Sequence, residues 1–244
     1  MSAILREAWR TAVPDLDDRH GPLPPLMLLL TVVTGLIDAF SYLVLGHVFV
    51  ANMTGNVVFA GFAIAGAGGF ALAPNVVALV AFAAGAFGGA RVIRTVWSHR
   101  ARVLFLALAL QVLLVAGAFL TAEVSGSPME PGTRYALLSL LGLGMGVQNA
   151  AARALAVPDL TTTVLTLTIT GTAADSRLAG GAGSRAGRRL LSIAAMFLGG
   201  LIGALLVLNA RVSLPLLVAA VLLAAACGIA WRLTRSSAPW TRPL

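Results

Sequence analysis

The chain has 244 residues, 59% of them hydrophobic and only 11% charged, with a net charge of +8 and a mean hydropathy of +0.93. Soluble domains carry about 25% charged residues, so most of this chain is kept from water and a polytopic membrane protein is the class that fits. In such a protein a basic balance marks cytoplasmic loops rather than a nucleic-acid surface, and a single cysteine, Cys227, excludes an intrachain disulfide and a cysteine metal site.

In chain order, residues 1–25 are polar, and the apolar run after Pro24-Pro25 is too long for a signal-peptide core, so it reads as a retained helix. Apolar segments fall at roughly 26–45, 52–72, 74–96, 103–121, 135–156, 160–174, 190–209 and 213–231. Six of them reach the length of a full span, about 20 residues. The segment 160–174 is short and threonine-rich, and 52–72 opens with Asn52-Met53-Thr54-Gly55-Asn56 and thins into glycine and alanine.

Charge decides which segments cross. Arginines cluster in the N-terminal segment, at 91–102, at 177–189 and at 232–242, whereas the loop 123–134 holds Glu123, Glu130 and only Arg134. Eight crossings would place the 91–102 cluster outside and the acidic loop inside, against the positive-inside rule. Six spans with two re-entrant segments, 52–72 and 160–174, put every arginine cluster inside. The expected layout is a cytoplasmic segment 1–25, a membrane half 26–122, an external loop 123–134, a second half 135–232 and a cytoplasmic tail 233–244. The expected fold is an all-α integral membrane protein with both termini cytoplasmic.

A shift of about 110 residues lays the first four segments on the last four. Gly85/Gly89 then falls on Gly199/Gly203, Gly61 on Gly171, and Asp38 near Gln148-Asn149. Arginines flank matching helices at opposite ends, so the two halves are expected to have inverted topology. The glycine pairs allow close helix contact, either between the halves or between subunits of a homo-oligomer.

Polar groups inside apolar runs are the site candidates, because a charge at the centre of a span costs roughly 2.5–3.5 kcal/mol on insertion scales. Asp38 shares a helix face with Thr31, Thr34, Gly35, Ser41 and Tyr42. It reads either as a group that binds a cation or proton, or as an acceptor that only fixes packing. Asn52, Thr54, Gly55 and Asn56 read as a helix start inside the protein, where Asn or Thr caps free N–H groups and an anion is attracted. Thr162, Thr163 and Thr166 hold the equivalent place in the second half. Asn149 lies near mid-helix. Arg153 is left at the cytoplasmic end of its helix, roughly 10 Å from the depth of Asp38. Asp159 and Asp175 are expected at segment ends. No catalytic motif, paired carboxylate or ligand-spaced histidine set stands out, so neither an enzyme nor a bound cofactor or metal is expected.

At Gly35, Asp38, Tyr42, Val48, Phe49 and Ala51 to Asn56, and again at GMGVQNAAAR and PDLTTTVLTLTITGTAAD, the sequence resembles the YoaK-like family of bacterial inner-membrane proteins, a domain of unknown function. The resemblance implies about six helices and assigns no active site. The reading that follows from the residues is a transporter or channel for a small polar or charged solute, its site formed between the halves by the groups named above. A non-transporting scaffold, in which those groups serve packing, is the alternative.

Overall fold

The computed structural model describes residues 3–125, 129–163, 165–174 and 185–242; Asp175 and Arg177 lie outside the described residues. The described regular structure is helical: α1 Ala3–Ala12, α2 Leu23–Val44, α3 Met53–Ile64, α4 Leu72–Thr95, α5 Arg100–Val124, α6 Pro131–Leu155, α7 Thr166–Ala174, α8 Ala186–Asn209 and α9 Leu214–Leu233, followed by a short 3-10 turn Pro239–Thr241. Six of these, α2, α4, α5, α6, α8 and α9, are long and apolar enough to cross a bilayer. This is a multi-pass, all-α membrane protein. The 12 residues of α3 rise about 18 Å and cannot cross a hydrocarbon core of about 30 Å; the nine residues of α7 are shorter still.

Local chemistry sets the ends. Proline occupies the first turns of α2, α6 and α9, where its missing N–H costs nothing. α2 stops at Gly46 and His47, both with left-handed φ. The stretch after Ile64 turns through Gly66 and Gly69, also left-handed, so the glycine-rich half of the expected segment 52–72 is a turn and not helix. In the segment 160–174, helix begins only at Thr166.

α2 and α6 form the centre: 61% of the apolar window of each is buried, against 22–39% for the other four spans. Those four turn large apolar side chains outward, among them Phe87, Leu113, Phe197 and Leu208, the surface a bilayer covers. α4 packs on α6, and α2 on α8. Glycine makes both contacts. A Cβ on Gly85 would collide with the Leu143 backbone, one on Gly146 with the Phe82 carbonyl, and one on Gly199 with the Val32 carbonyl. Backbones that approach this closely gain dispersion contacts that lipid chains cannot match. The faces carrying Gly85/Gly89 and Gly199/Gly203 are therefore filled within one chain. These contacts lie within one chain, between α4 and α6 and between α2 and α8.

The register of these contacts gives direction. Gly142 meets Ala78 and Ala81, while Gly146 meets Ala86, so α4 and α6 run parallel. Gly199 meets Val32 and Gly203 meets Ala39, so α2 and α8 run parallel too. α5 runs against α9, with His99 bonded to the Ser236 carbonyl at one end and Glu123 to Ser213 at the other. The ends of α2 and start of α4 thus share one face of the bundle, and the end of α6 and start of α8 share the opposite face. α3 and α7 leave and return on the same face, each from its own side.

Both chain ends are more structured than a polar sequence led us to expect. Glu7 of α1 accepts the Gly187 N–H at 3.0 Å, placing an acid at the positive end of α8. Trp240 in the tail is buried against Gly21, where the backbone φ is +52 and a Cβ would sit 2.5 Å from the indole. Arg100, buried, joins these parts: it donates to the Arg19 and Trp240 carbonyls at 3.2 and 3.4 Å, to the Leu155 carbonyl, and sits 3.3 Å from His20 Nδ1. Asp159 takes Arg185 and Arg189 at 3.6 and 2.9 Å between α6 and α8.

Candidate functional site

The chain beyond α2 doubles back into the bundle, and Asp38 receives it. Asp38 Oδ1 accepts the N–H groups of Val50 and Ala51 at 3.0 and 2.9 Å, and Oδ2 accepts the Asn52 amide at 2.5 Å. These are donors that no helix or strand satisfies, at a depth where water is scarce, so the carboxylate is matched to the broken backbone. No Lys, Arg or His lies within ion-pair distance of Asp38 among the described residues.

Asn56 completes the turn. Its Oδ1 accepts the Phe49 N–H at 2.9 Å and its Nδ2 donates to the Phe49 carbonyl at 2.6 Å, with the side chain fully buried. One amide thus pairs both backbone groups of a single residue, as a neighbouring strand would. Gly55 leaves room for the Phe49 ring, 2.9 Å from where its Cβ would be. Phe49 stacks on Tyr42 with ring centroids 4.8 Å apart, and Tyr42 also meets His47 edge-on at 5.1 Å. Asn52 makes no capping bond to α3: the expected cap is instead a brace to Asp38. Thr54 is exposed and joins none of this.

A second cluster is built from neutral groups. Gln148 of α6 accepts from Gln111 of α5 at 2.7 Å and donates to the hydroxyls of Thr34 and Thr162 at 2.9 and 3.0 Å. Thr163 donates to Asn149 at 2.7 Å. Gln111, Gln148, Thr34 and Thr162 are all buried. Thr162 holds φ +65, a costly conformation for a β-branched residue, and it delivers the hydroxyl to Gln148. Thr166 is exposed on the first turn of α7 and is not brought in.

The structure therefore gathers Asp38, Tyr42, Asn52, Gly55 and Asn56 in one cluster and Asn149, Thr162 and Thr163 in another. It leaves out Thr54 and Thr166, and it adds Gln148, Gln111 and Thr34. Gln148, one residue from the expected Asn149, carries the central contacts. Gln111 has a sequence signal that went unused: it is a lone amide inside an apolar span. The two clusters touch α2 one turn apart, at Thr34 and Asp38, about 6 Å along the axis. A groove of about 320 Å³ opens between α2 and α8 beside Asp38, walled by Tyr42, Phe49 and Asn52 on one side and Met196 and Gly200 on the other. Among the described residues, no three His, Cys, Asp or Glu side chains converge.

Residues 26–229 match the family described as "Protein of unknown function (DUF1275)". The chain belongs to this family. It is 33% identical over 149 residues to the UPF0700 transmembrane protein YoaK of Bacillus subtilis (strain 168), an alignment covering 59% of this chain and 63% of the relative. The chain thus aligns with somewhat under two thirds of that relative's length. No solved structure matches.

Proposed function

We propose that the protein is a membrane transporter or channel for a small polar or cationic solute, with the solute path between two halves of inverted topology. The observation that carries this is the meeting of two discontinuous segments, from opposite faces, on adjacent turns of α2. Matching helices of the two halves run in opposite directions: α2 against α6, α4 against α8, α5 against α9. Broken helices at a repeat interface near mid-membrane recur as solute sites in transporters, an analogy of fold and not of sequence.

The donor inventory favours a cation or neutral polar solute over an anion. The free N–H groups at Val50 and Ala51 are taken by Asp38, so none remains aimed into the groove. Asp38 lies beside the groove together with the rings of Tyr42 and Phe49, and a carboxylate near aromatic faces attracts positive charge. The polar groups of both clusters are bonded to one another. We place the arginine-rich end, with both termini, at the cytoplasmic face of a bacterial plasma membrane.

The scaffold reading is favoured by one fact: Asp38, Asn56 and Gln148 are satisfied within the chain. Transport decides between the two. A mass-spectrometric comparison of small solutes in cells with and without the protein identifies the solute, and its flux into proteoliposomes is then measured. Asp38→Asn is expected to reduce flux by about tenfold or more, the factor that about 1.4 kcal/mol represents, with the protein still folded. If no solute differs, or the variant carries flux unchanged, the transport reading through Asp38 fails.

A further inference from the structure

At the arginine-rich end of the bundle, a pocket of about 440 Å³ lies between the last turns of α4 and α6. Its floor is apolar, formed by Ala90, Ile93, Ala150 and Ala154, and its rim carries Arg94, Trp97 and Arg153. No carboxylate lines it. Of the acids at this end, Asp159 pairs with Arg185 and Arg189, Glu7 accepts the Gly187 N–H, and Asp15 and Asp18 accept backbone N–H groups of their own turn; neither these nor Asp17 lines the pocket. Arg94 and Arg153 have no hydrogen-bond or ion-pair partner among the described residues, and both are exposed. They come from different helices and converge on one cavity, unlike Arg91, which rests over the Phe87 ring.

We propose that this pocket binds the phosphate headgroup of an anionic phospholipid from the adjoining leaflet. Depth fits: Arg94 lies one residue from the end of α4 and Arg153 two from the end of α6, so both guanidinium groups sit where spans meet headgroups. Chemistry fits as well. The chain's 17 cationic side chains are all arginine, and the planar fork of arginine grips phosphate oxygens in pairs. Trp97, 46% exposed, offers an amphipathic ring suited to the interface, and the alanine floor receives the first carbons of an acyl chain. Basic pockets between spans on the cytoplasmic side are a general way to hold such headgroups.

The test is native mass spectrometry of the full chain in detergent with dioleoyl phosphatidylglycerol, against dioleoyl phosphatidylcholine and against inorganic phosphate. Wild type is expected to retain phosphatidylglycerol preferentially. Arg94→Gln/Arg153→Gln is expected to weaken that binding roughly thirtyfold, the effect of removing two cations near an anionic surface, with the melting temperature held. Arg102→Gln, an exposed arginine at the same end outside the pocket, is expected to leave it unchanged. Equal retention of the two lipids, an undiminished preference in the double variant, or displacement of the lipid by millimolar inorganic phosphate would each overturn the proposal.

Discussion

The motif Asn52 to Asn56 contains its own controlled experiment. Asn56→Ala removes both hydrogen bonds to Phe49, at 2.9 and 2.6 Å, and leaves a backbone N–H and a carbonyl of the half-buried Phe49 without partners beside a fully buried position. Two estimates compete. Interhelical hydrogen bonds in membranes average only about 0.6 kcal/mol, because the unfolded chain finds other partners within its helices. Stranding a buried polar group costs about 1–3 kcal/mol, and here there are two. The second estimate governs, because residue 49 lies outside any helix and its backbone has no neighbour to turn to. The expected loss is about 2–4 kcal/mol, the lower part of the range for two such groups, because Phe49 itself is half-buried. Thr54→Ala, at an exposed position, should change stability by less than about 0.5 kcal/mol. Equilibrium unfolding in mixed micelles measures the global part. Thiol labelling of Val50→Cys in a Cys227→Ala background measures local opening, and it should quicken roughly thirtyfold to a thousandfold with Asn56→Ala. Equal behaviour of Asn56→Ala and Thr54→Ala in both assays would refute the claim that Asn56 holds the re-entrant turn.

Other consequences follow from the same contacts. Gly146→Ala drives a methyl against the Phe82 carbonyl and to 2.6 Å from the Ala86 nitrogen, so it should cost about 1–3 kcal/mol; Gly88→Ala, with nothing within 4 Å, should be neutral in the same melts. Burial, then Arg100 and Arg188, hold His20 below the usual histidine range, with Asp18 opposing and Arg19 adding to the shift. Because the unfolded chain binds this proton more readily, stability should be complete above pH 6.5, the ordinary histidine value, and fall as pH drops below it. Melting curves of wild type and His20→Gln between pH 5 and pH 8 should differ by this component. A variant with the same acid-side loss as wild type would remove His20 as its source.

Some of this was legible before any coordinates. Spans could be read because hydropathy has high contrast along the chain, and the two re-entrant segments because arginines count crossings. Asp38 and Asn56 announced themselves by the cost of putting polar groups in hydrocarbon. Which face each polar residue takes was not legible: Thr54 and Thr166 are exposed and lie outside both clusters. In water, periodicity separates a wet face from a dry one. In a bilayer, lipid and protein are both apolar, so the contrast is lost. Asn149 and Gln148 are adjacent, and about 100° of helix rotation separates a position bonded to Thr163 from the centre of the network. α1 and the buried Trp240 escaped notice for another reason: both depend on distant partners, Gly187 and Gly21, that no local window contains.

The arrangement of α3 and α7 can be tested most directly with membrane-impermeant thiol reagents applied to each side of sealed vesicles. Single cysteines would replace His47, Gly68, Ala156 and Arg185 in a Cys227→Ala background. Positions 47 and 68 are expected to react from one side only, and 156 and 185 only from the other. Reaction of 47 and 68 from opposite sides would mean that the chain between them crosses the membrane, and the meeting of two half-helices on α2 would be wrong.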